Sequence, residues 1–120
     1  MRILLGDYTQ ARVQTAEALS LFRELEDPRG MAWSLEVFAG LLAASGDADG
    51  AARVWGASSA WLQRLGASLP PNIRLVRERY VGEVQRVLGD ANFAIASAEG
   101  KAMSVDAAMA RARQQPLASS

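Results

Sequence analysis

The dipeptide Gly-Asp occurs three times in the chain, each time after a short apolar run: "ILLGDYTQA", "AASGDADGA" and "RVLGDANFA". The glycines are Gly6, Gly46 and Gly89, so the phrases start 40 and 43 residues apart. Glycine ends helices because it adopts positive φ without steric cost. Aspartate starts them because its carboxylate accepts hydrogen bonds from the free N–H groups of the first turn. Each Gly-Asp therefore predicts a tight turn between two helices.

The apolar residues between these turns recur at spacings of three and four, which is the period of a helix with one buried face. No stretch shows sustained alternation with a period of two, so no sheet is expected. The positions predicted to face the core are Tyr8, Ala11, Thr15, Ala18, Phe22 and Leu25 in the first helix, Met31, Leu35, Phe38 and Leu42 in the second, Ala51, Val54, Ser58, Trp61 and Leu65 in the third, and Ile73, Val76, Tyr80, Val84 and Val87 in the fourth.

Helix ends follow from prolines, glycines and capping residues. Pro28 ends the first helix, Gly46 and Gly66 end the second and third, and Pro71 fits the first turn of the fourth. A short fifth helix is expected from Asp90 to Gly100, and a sixth with Ser104 as its cap and Val105, Ala108, Met109 and Ala112 inward. An alanine follows each Gly-Asp glycine by five residues, at Ala11, Ala51 and Ala94, where a small side chain allows two helices to approach closely.

A helical hairpin cannot bury its own apolar face, so hairpins stack on their neighbours. Large and small residues at Leu35, Phe38, Leu42, Ala51 and Trp55, placed around the Gly46-Asp47 turn, resemble the tetratricopeptide repeat. The resemblance implies an all-α fold of tetratricopeptide-like helical hairpin repeats, an α-α superhelix of about five to six helices. We expect residues 1–115 to form one domain and residues 116–120 a frayed tail.

Four longer phrases are similar to the C-terminal helical repeats of bacterial LuxR-type and related signal-transduction ATPase regulators. They are "AWSLE" at residues 32–36, "AARVWGA" at 51–57, "LGASLPP" at 65–71 and "FAIASAEGKAMS" at 93–104. The chain has neither the phosphate-binding Gly-x-x-x-x-Gly-Lys-Ser/Thr motif nor an evident basic recognition helix, so the ATPase and DNA-binding activities of such regulators do not carry over. The resemblance implies a repeat module that binds a protein or a ligand.

Composition narrows the possible functions. The chain has no cysteine and no histidine, which excludes disulfides and thiolate metal sites and removes the commonest general base and metal ligand. We therefore expect no enzymatic activity, no metal and no cofactor. Thirteen basic residues balance thirteen acidic ones, and such a neutral chain is a poor candidate for nucleic-acid binding. No apolar stretch is long enough for a membrane span or a secretory signal, so we expect a cytoplasmic protein.

Charge is unevenly distributed along the chain. Residues 1–60 contain five arginines and eight acidic residues, a net charge of −3, and residues 61–120 have a net charge of +3. Solvated helix faces are one explanation, and head-to-tail contact between copies or an acidic partner is the other.

In the tetratricopeptide register, the first helices of successive hairpins line a concave groove. That register places Trp33 and Glu36 of the second helix, and Arg79, Glu83 and Arg86 of the fourth, in a peptide-binding groove. The two arginines are suited to pairing with a peptide carboxylate, and Trp33 to serving as an apolar anchor. In the alternative interpretation, Glu83 pairs with either arginine at helical spacing and Trp33 packs as part of the core.

The favoured function is a non-enzymatic protein–protein interaction module. An alternative is a small-ligand sensor with an apolar pocket between helices lined by Trp33, Trp55 and Phe38, and a third possibility is a truncated relic that only folds and dimerises. Because "MRILL" is too short for a full helix, the face bearing Tyr8, Ala11, Ala18 and Phe22 is expected to be partly uncovered. Either the chain is cut from a longer regulator, or two copies cover this face by symmetric pairing, for which a two-fold homodimer is the commonest solution.

Overall fold

The computed structural model describes residues 5–104, 106–108 and 110, and every regular element in these ranges is helical. The helices are α1 (Leu5–Glu24), α2 (Pro28–Ala44), α3 (Ala48–Leu65), α4 (Pro71–Leu88) and α5 (Asp90–Lys101). Residues 106–108 and 110 are also helical. The prediction of an all-α chain with about five to six helices is therefore confirmed. None of the described helices has the length and apolar character needed to cross a membrane.

Most predicted helix ends are correct. Gly46 after α2 and Gly66 after α3 have positive φ values of 97° and 65°. The Asp47 carboxylate accepts a hydrogen bond from the Gly50 N–H at 2.9 Å, and so starts α3. The Ser104 hydroxyl accepts one from the backbone N–H of residue 107 at 3.0 Å, as predicted for the cap of a sixth helix. The predicted inward residues 105, 109 and 112 and the tail 116–120 lie outside the described residues.

The first Gly-Asp phrase does not form a turn. Gly6 and Asp7 both lie inside α1, which already includes Leu5, so the prediction of a turn at Gly6 is wrong. Glycine lowers helix stability by only about 1 kcal/mol relative to alanine, and an aspartate near a helix N-terminus is favoured by the helix dipole. The same dipeptide is therefore compatible with the first turn of a helix as well as with a break between two.

The central helices of the fold are α2 and α3. Helix α2 contacts α1, α3 and α4, and α3 contacts α2, α4 and α5. Eleven of the 17 residues of α2 are buried, so this helix is covered on most of its circumference. The predicted core residues Leu35, Phe38, Leu42, Ala51, Val54 and Ser58 are all buried. Met31, Trp61 and Leu65, predicted in the same stripes, are only partly buried, so the pattern located most of the core stripe in both central helices.

Two predicted core residues are exposed. Leu25 is 64% exposed because α1 ends at Glu24 and the chain turns through Glu26, which has a φ of 54°. Val87 is 62% exposed. Of the residues in α4, Val76 and Val84 are buried, because the central helices cover only a narrow stripe of it.

Helix α5 packs mainly on α3 and contacts α4 much less. A Cβ atom on Gly56 of α3 would collide with the Ser97 carbonyl group of α5, and one on Gly100 would collide with the backbone of Arg53. The two helices therefore cross with their backbones in close contact at these glycines. Gly100 was predicted to end α5, but it lies within the helix and is buried there.

The third Gly-Asp phrase separates α4 from α5, with a φ of 84° at Gly89. The predicted close approach at Ala94 is wrong, because Ala94 is exposed to solvent. The close contact of α5 instead occurs at glycines that face α3.

The described chain has a radius of gyration of 13.0 Å, close to the roughly 13.6 Å of a compact domain of this length.

Candidate functional site

The predicted groove joins α2 and α4, and these helices do lie side by side. A Cβ atom on Gly40 of α2 would lie 2.7 Å from the Cγ1 atom of Val76 in α4, so the missing side chain allows the two helices to approach closely. The five predicted groove residues nevertheless have different environments.

Near the C-terminal end of α2 there is a small pocket of about 70 Å³. It is lined by Ala43, Gly46, Ala48, Tyr80, Glu83, Val84 and Val87. Glu83 is the predicted groove residue that belongs to this set. The exposed side chain of Val87, which the helical period predicted to be core, supplies an apolar wall. The pocket thus combines an apolar floor with one carboxylate.

Arg79 and Arg86 are exposed on α4 near this pocket. The guanidinium of Arg86 lies 3.9 Å from the Glu83 carboxylate, one helical turn away, which is the pairing that the alternative interpretation anticipated. The Arg79 guanidinium lies 5.6 Å from the centre of the Tyr80 ring. Exposed contacts of this kind contribute little to stability, so both arginines are available to other partners.

Trp33 of α2 is half-buried, which agrees with the interpretation of this residue as partial core. Its indole Nε1 atom is buried and has no hydrogen-bond acceptor among the described residues. Trp61 differs, because its indole N–H donates to the Pro28 carbonyl oxygen at 2.9 Å and joins the end of α3 to the start of α2.

Glu36 does not line an open groove, and its placement there was wrong. The side chain is 1% exposed and forms a bidentate ion pair with Arg77 of α4. Arg77 Nε donates to Glu36 Oε1 at 3.0 Å, and Arg77 Nη2 donates to Glu36 Oε2 at 2.6 Å. The α4 helix packs over α2, and the long arginine side chain reaches the carboxylate and covers it.

The same guanidinium also contacts α3. Arg77 Nη2 donates to the Ser59 hydroxyl oxygen at 2.7 Å and to the Trp55 carbonyl oxygen at 3.2 Å. The Arg77 guanidinium carbon is 6.0 Å from the centre of the Trp55 ring. One side chain therefore connects the three helices α2, α3 and α4.

Burial raises the pKa of Glu36 above its ordinary value of 4.5. The charge and hydrogen bonds of Arg77 oppose this shift because they stabilise the carboxylate. Arg77 thus supplies the positive charge that favours the ionised form of this buried acid.

Sequence reasoning did not identify Arg77. The available indication was Glu36 itself, a lone acid in the apolar run "SLEVFAGLL", because a buried acid requires a cation or a proton. The identity of that cation could not be read from the sequence, since the two residues are 41 positions apart.

Of the residues predicted for self-association, those whose side chains are described lie on the side of α1 that faces α2. Ala11, Ala18 and Phe22 are half-buried, and a Cβ atom on Gly30 of α2 would overlap the Phe22 ring. The side chain of Tyr8 lies outside the described residues. The more exposed apolar residues are on the opposite side of α1, where Val13 is 49% and Leu21 is 52% exposed.

The residues proposed for a ligand pocket are mostly core. Phe38 and Trp55 are 1% and 3% exposed, and neither they nor Trp33 line the 70 Å³ pocket. Within the described ranges, no group of three or more Asp or Glu residues is placed to hold a metal ion.

Comparisons with protein-family models, with curated proteins and with solved structures found no match to this chain.

Proposed function

We propose that the chain is a protein–protein interaction module of tetratricopeptide type that binds a peptide segment along α2 and α4. The observation that carries this proposal is the pocket between the end of α2 and the C-terminal half of α4, where exposed Val87 lines the same pocket as Tyr80 and Glu83. Pockets for small ligands have volumes of about 300–1,000 Å³. A volume of about 70 Å³ is better suited to one side chain of a partner protein.

The charges around the pocket support the same function. Glu83 lines the pocket, and exposed Arg79 and Arg86 are the sequence neighbours of the lining residues Tyr80 and Val87. Interfaces between proteins commonly have an apolar centre within a polar rim, and arginine is enriched in them. A bound segment would place an apolar side chain in the pocket and polar groups against the rim.

The packing of the helices supports the repeat interpretation. Helix α2 lies beside α4, and α3 lies beside α5, so the pair α2–α3 contacts the pair α4–α5 through corresponding helices. Stacked repeats contact their neighbours in this way. The phrases shared with LuxR-type and signal-transduction regulators support an origin in a bacterial cytoplasmic regulator, and the lack of cysteine fits a reducing compartment.

The proposal is tested by selecting peptides from a random phage-displayed library on the immobilised protein and measuring their Kd by calorimetry. Val87→Asp places a charge in the pocket, and we expect it to raise the Kd of selected peptides at least about tenfold, which corresponds to about 1.4 kcal/mol. The matched control is Ile95→Asp, since Ile95 is similarly exposed, at 56%, on α5. Failure to enrich any peptide, or equal effects of the two variants, would reject this site.

A further inference from the structure

One face of α1 is exposed and has a regular pattern. Val13, Glu17, Ser20 and Glu24 follow one another at intervals of four, three and four residues, so they form a single stripe along the helix. All four are exposed to solvent, and the stripe lies opposite the side that packs on α2. We call it the α1 stripe. Its order is apolar, acidic, small, acidic.

The exposed face of α4 has a stripe with the same spacing. Leu75, Arg79, Gly82 and Arg86 also follow at intervals of four, three and four residues. All four are exposed, and Leu75 is 64% exposed. We call it the α4 stripe. Its order is apolar, basic, small, basic.

The two stripes are complementary position by position. Laid parallel, they place Glu17 against Arg79 and Glu24 against Arg86, and the two charges on each helix are about 10.5 Å apart because each residue rises 1.5 Å. The apolar first positions also coincide. A Cβ atom on Gly82 would meet no neighbouring atom, so a partner helix can approach closely at this point.

The α1 stripe lies in residues 1–60, whose net charge is −3, and the α4 stripe lies in residues 61–120, whose net charge is +3. We propose that the α1 stripe of one copy docks on the α4 stripe of a second copy, with the helices parallel. The contact is head-to-tail, because a stripe faces a different stripe and not itself. Each bound pair keeps one α1 stripe and one α4 stripe free, so association continues into a ring or a chain of copies. This assembly goes beyond the binding of a peptide at the α2–α4 pocket.

The surface of α1 provides a second observation in support. A depression of about 340 Å³ runs along this face and is lined by Ala16, Glu17, Ser20, Leu21 and Glu24. It combines apolar surface with two carboxylates, which suits the apolar stems and cationic ends of arginine side chains. Glu17 and Glu24 form no ion pair with the described part of the chain, so both are available to a second copy.

The α4 stripe has two acidic neighbours. Glu83 lies 3.9 Å from Arg86, and exposed Glu78 is next to Arg79. These acids weaken the positive field of the stripe. Exposed ion pairs are also individually weak and are screened by salt. We therefore expect association only at high protein concentration and low ionic strength, and a decline as salt is raised from 0.05 to about 1 M, where the Debye length falls to about 3 Å.

Sedimentation velocity of the 12.8 kDa chain over a range up to millimolar concentration tests the proposal. The first variant, Glu17→Arg/Glu24→Arg, reverses the α1 stripe. The second, Arg79→Glu/Arg86→Glu, reverses the α4 stripe. The unmodified chain should show a mass that rises with concentration beyond that of two copies. Each variant alone should remain a monomer, because its two stripes have the same sign.

Mixing the two variants is the decisive step. In an equimolar mixture every α1 stripe meets a complementary α4 stripe, so association should return to the level of the unmodified chain. Loss of folding in either variant would not be rescued by mixing, so rescue separates the proposal from simple misfolding. As a control for net charge, Arg64→Glu/Lys101→Glu lowers the net charge by the same amount as Arg79→Glu/Arg86→Glu but outside both stripes, and it should associate like the unmodified chain.

Three results would overturn the proposal: a monomeric unmodified chain at 1 mM, a mixture that stays monomeric, or a two-copy assembly that neither variant disrupts. Rescue of Glu17→Arg by Arg86→Glu in place of Arg79→Glu would overturn the parallel alignment. Arg79 and Arg86 belong both to the α4 stripe and to the proposed peptide site, so Arg79→Glu/Arg86→Glu is expected to affect both. The Val87→Asp variant, which weakens peptide binding in the proposed function, lies outside both stripes and should leave the assembly intact, and it therefore distinguishes failure of one proposal from failure of the other.

Discussion

Replacing Arg77 by methionine tests the buried contact that joins α2, α3 and α4. Methionine keeps an unbranched, apolar side chain about as long as the stem of arginine, but it removes the guanidinium that neutralises Glu36. Glu36 is 1% exposed, so water cannot take over the role of Arg77 without a rearrangement of the helices. The carboxylate of the folded variant must either stay charged without a partner or bind a proton.

The expected loss of unfolding free energy depends on whether the Glu36 carboxylate stays charged or binds a proton. Breaking a buried ion pair by removing one partner costs about 3–5 kcal/mol. Protonation limits the electrostatic part of this cost. At pH 7 it takes about 3.4 kcal/mol to protonate an acid whose ordinary pKa is 4.5, at 1.36 kcal/mol per pH unit. At pH 5 the same step takes only about 0.7 kcal/mol. We therefore expect Arg77→Met to lower the free energy of unfolding by about 3–4 kcal/mol at pH 7. At pH 5 the decrease should be smaller by about 2–3 kcal/mol.

Urea unfolding followed by far-UV circular dichroism at the two pH values measures this loss. The double variant Glu36→Leu/Arg77→Met removes both charges, and it should recover most of the stability at pH 7, because an apolar replacement of a buried pair is often neutral. Arg74→Met is the matched control. Arg74 is exposed on the same helix, so this variant should stay within about 0.5 kcal/mol of the unmodified chain.

A loss of less than about 1 kcal/mol for Arg77→Met at pH 7, or an equal loss at pH 5 and pH 7, would contradict the dependence of the Glu36 carboxylate on Arg77. A double variant no more stable than Arg77→Met would also contradict it. In each case the Glu36 carboxylate would not depend on Arg77 in the way that the distances of 2.6 and 3.0 Å imply.

Three further predictions concern single residues. Gly100→Ala places a Cβ atom against the α3 backbone and should destabilise the fold by about 1–3 kcal/mol or more in thermal unfolding. Gly82→Ala is the control, because its Cβ atom meets open space, and it should stabilise α4 by about 0.5–1 kcal/mol. Equal effects of the two variants would contradict the close crossing of α3 and α5. Because the pKa of Glu36 is raised, the folded state binds a proton at this carboxyl more tightly than the unfolded state does. The contribution of Glu36 to the free energy of unfolding should therefore fall as the pH rises from 4.5. Glu36→Gln should reduce this pH dependence when unfolding is measured over a pH series. Asp27→Ala should lower stability by about 1 kcal/mol in urea unfolding, since the Asp27 carboxylate accepts a hydrogen bond from the Gly30 N–H at 3.1 Å; an unchanged midpoint would show that this cap contributes nothing.

Of the five residues predicted for the groove, Glu83 lines the small pocket, and Arg79 and Arg86 are exposed near it. Glu36 was wrongly predicted to line the groove, because helical periodicity gives the direction in which a side chain leaves its helix. It does not show which other residues pack against that side chain. Here the covering group is Arg77, contributed by a helix that begins 27 residues after α2 ends. Trp33 is half-buried, which agrees with the alternative interpretation that it packs as part of the core.

The sequence by itself determined the helical class, most of the helix ends and the core stripe of the two central helices. These features depend on interactions within about four residues: positive φ at Gly46 and Gly66, first-turn hydrogen bonds to Asp47, and an apolar period that matches the helical turn. Only the tertiary structure decided that α5 crosses α3 at Gly100 and which cation neutralises the buried acid of α2. Those outcomes depend on contacts between residues far apart in the chain, whose free energies are set by packing and desolvation and leave no local pattern.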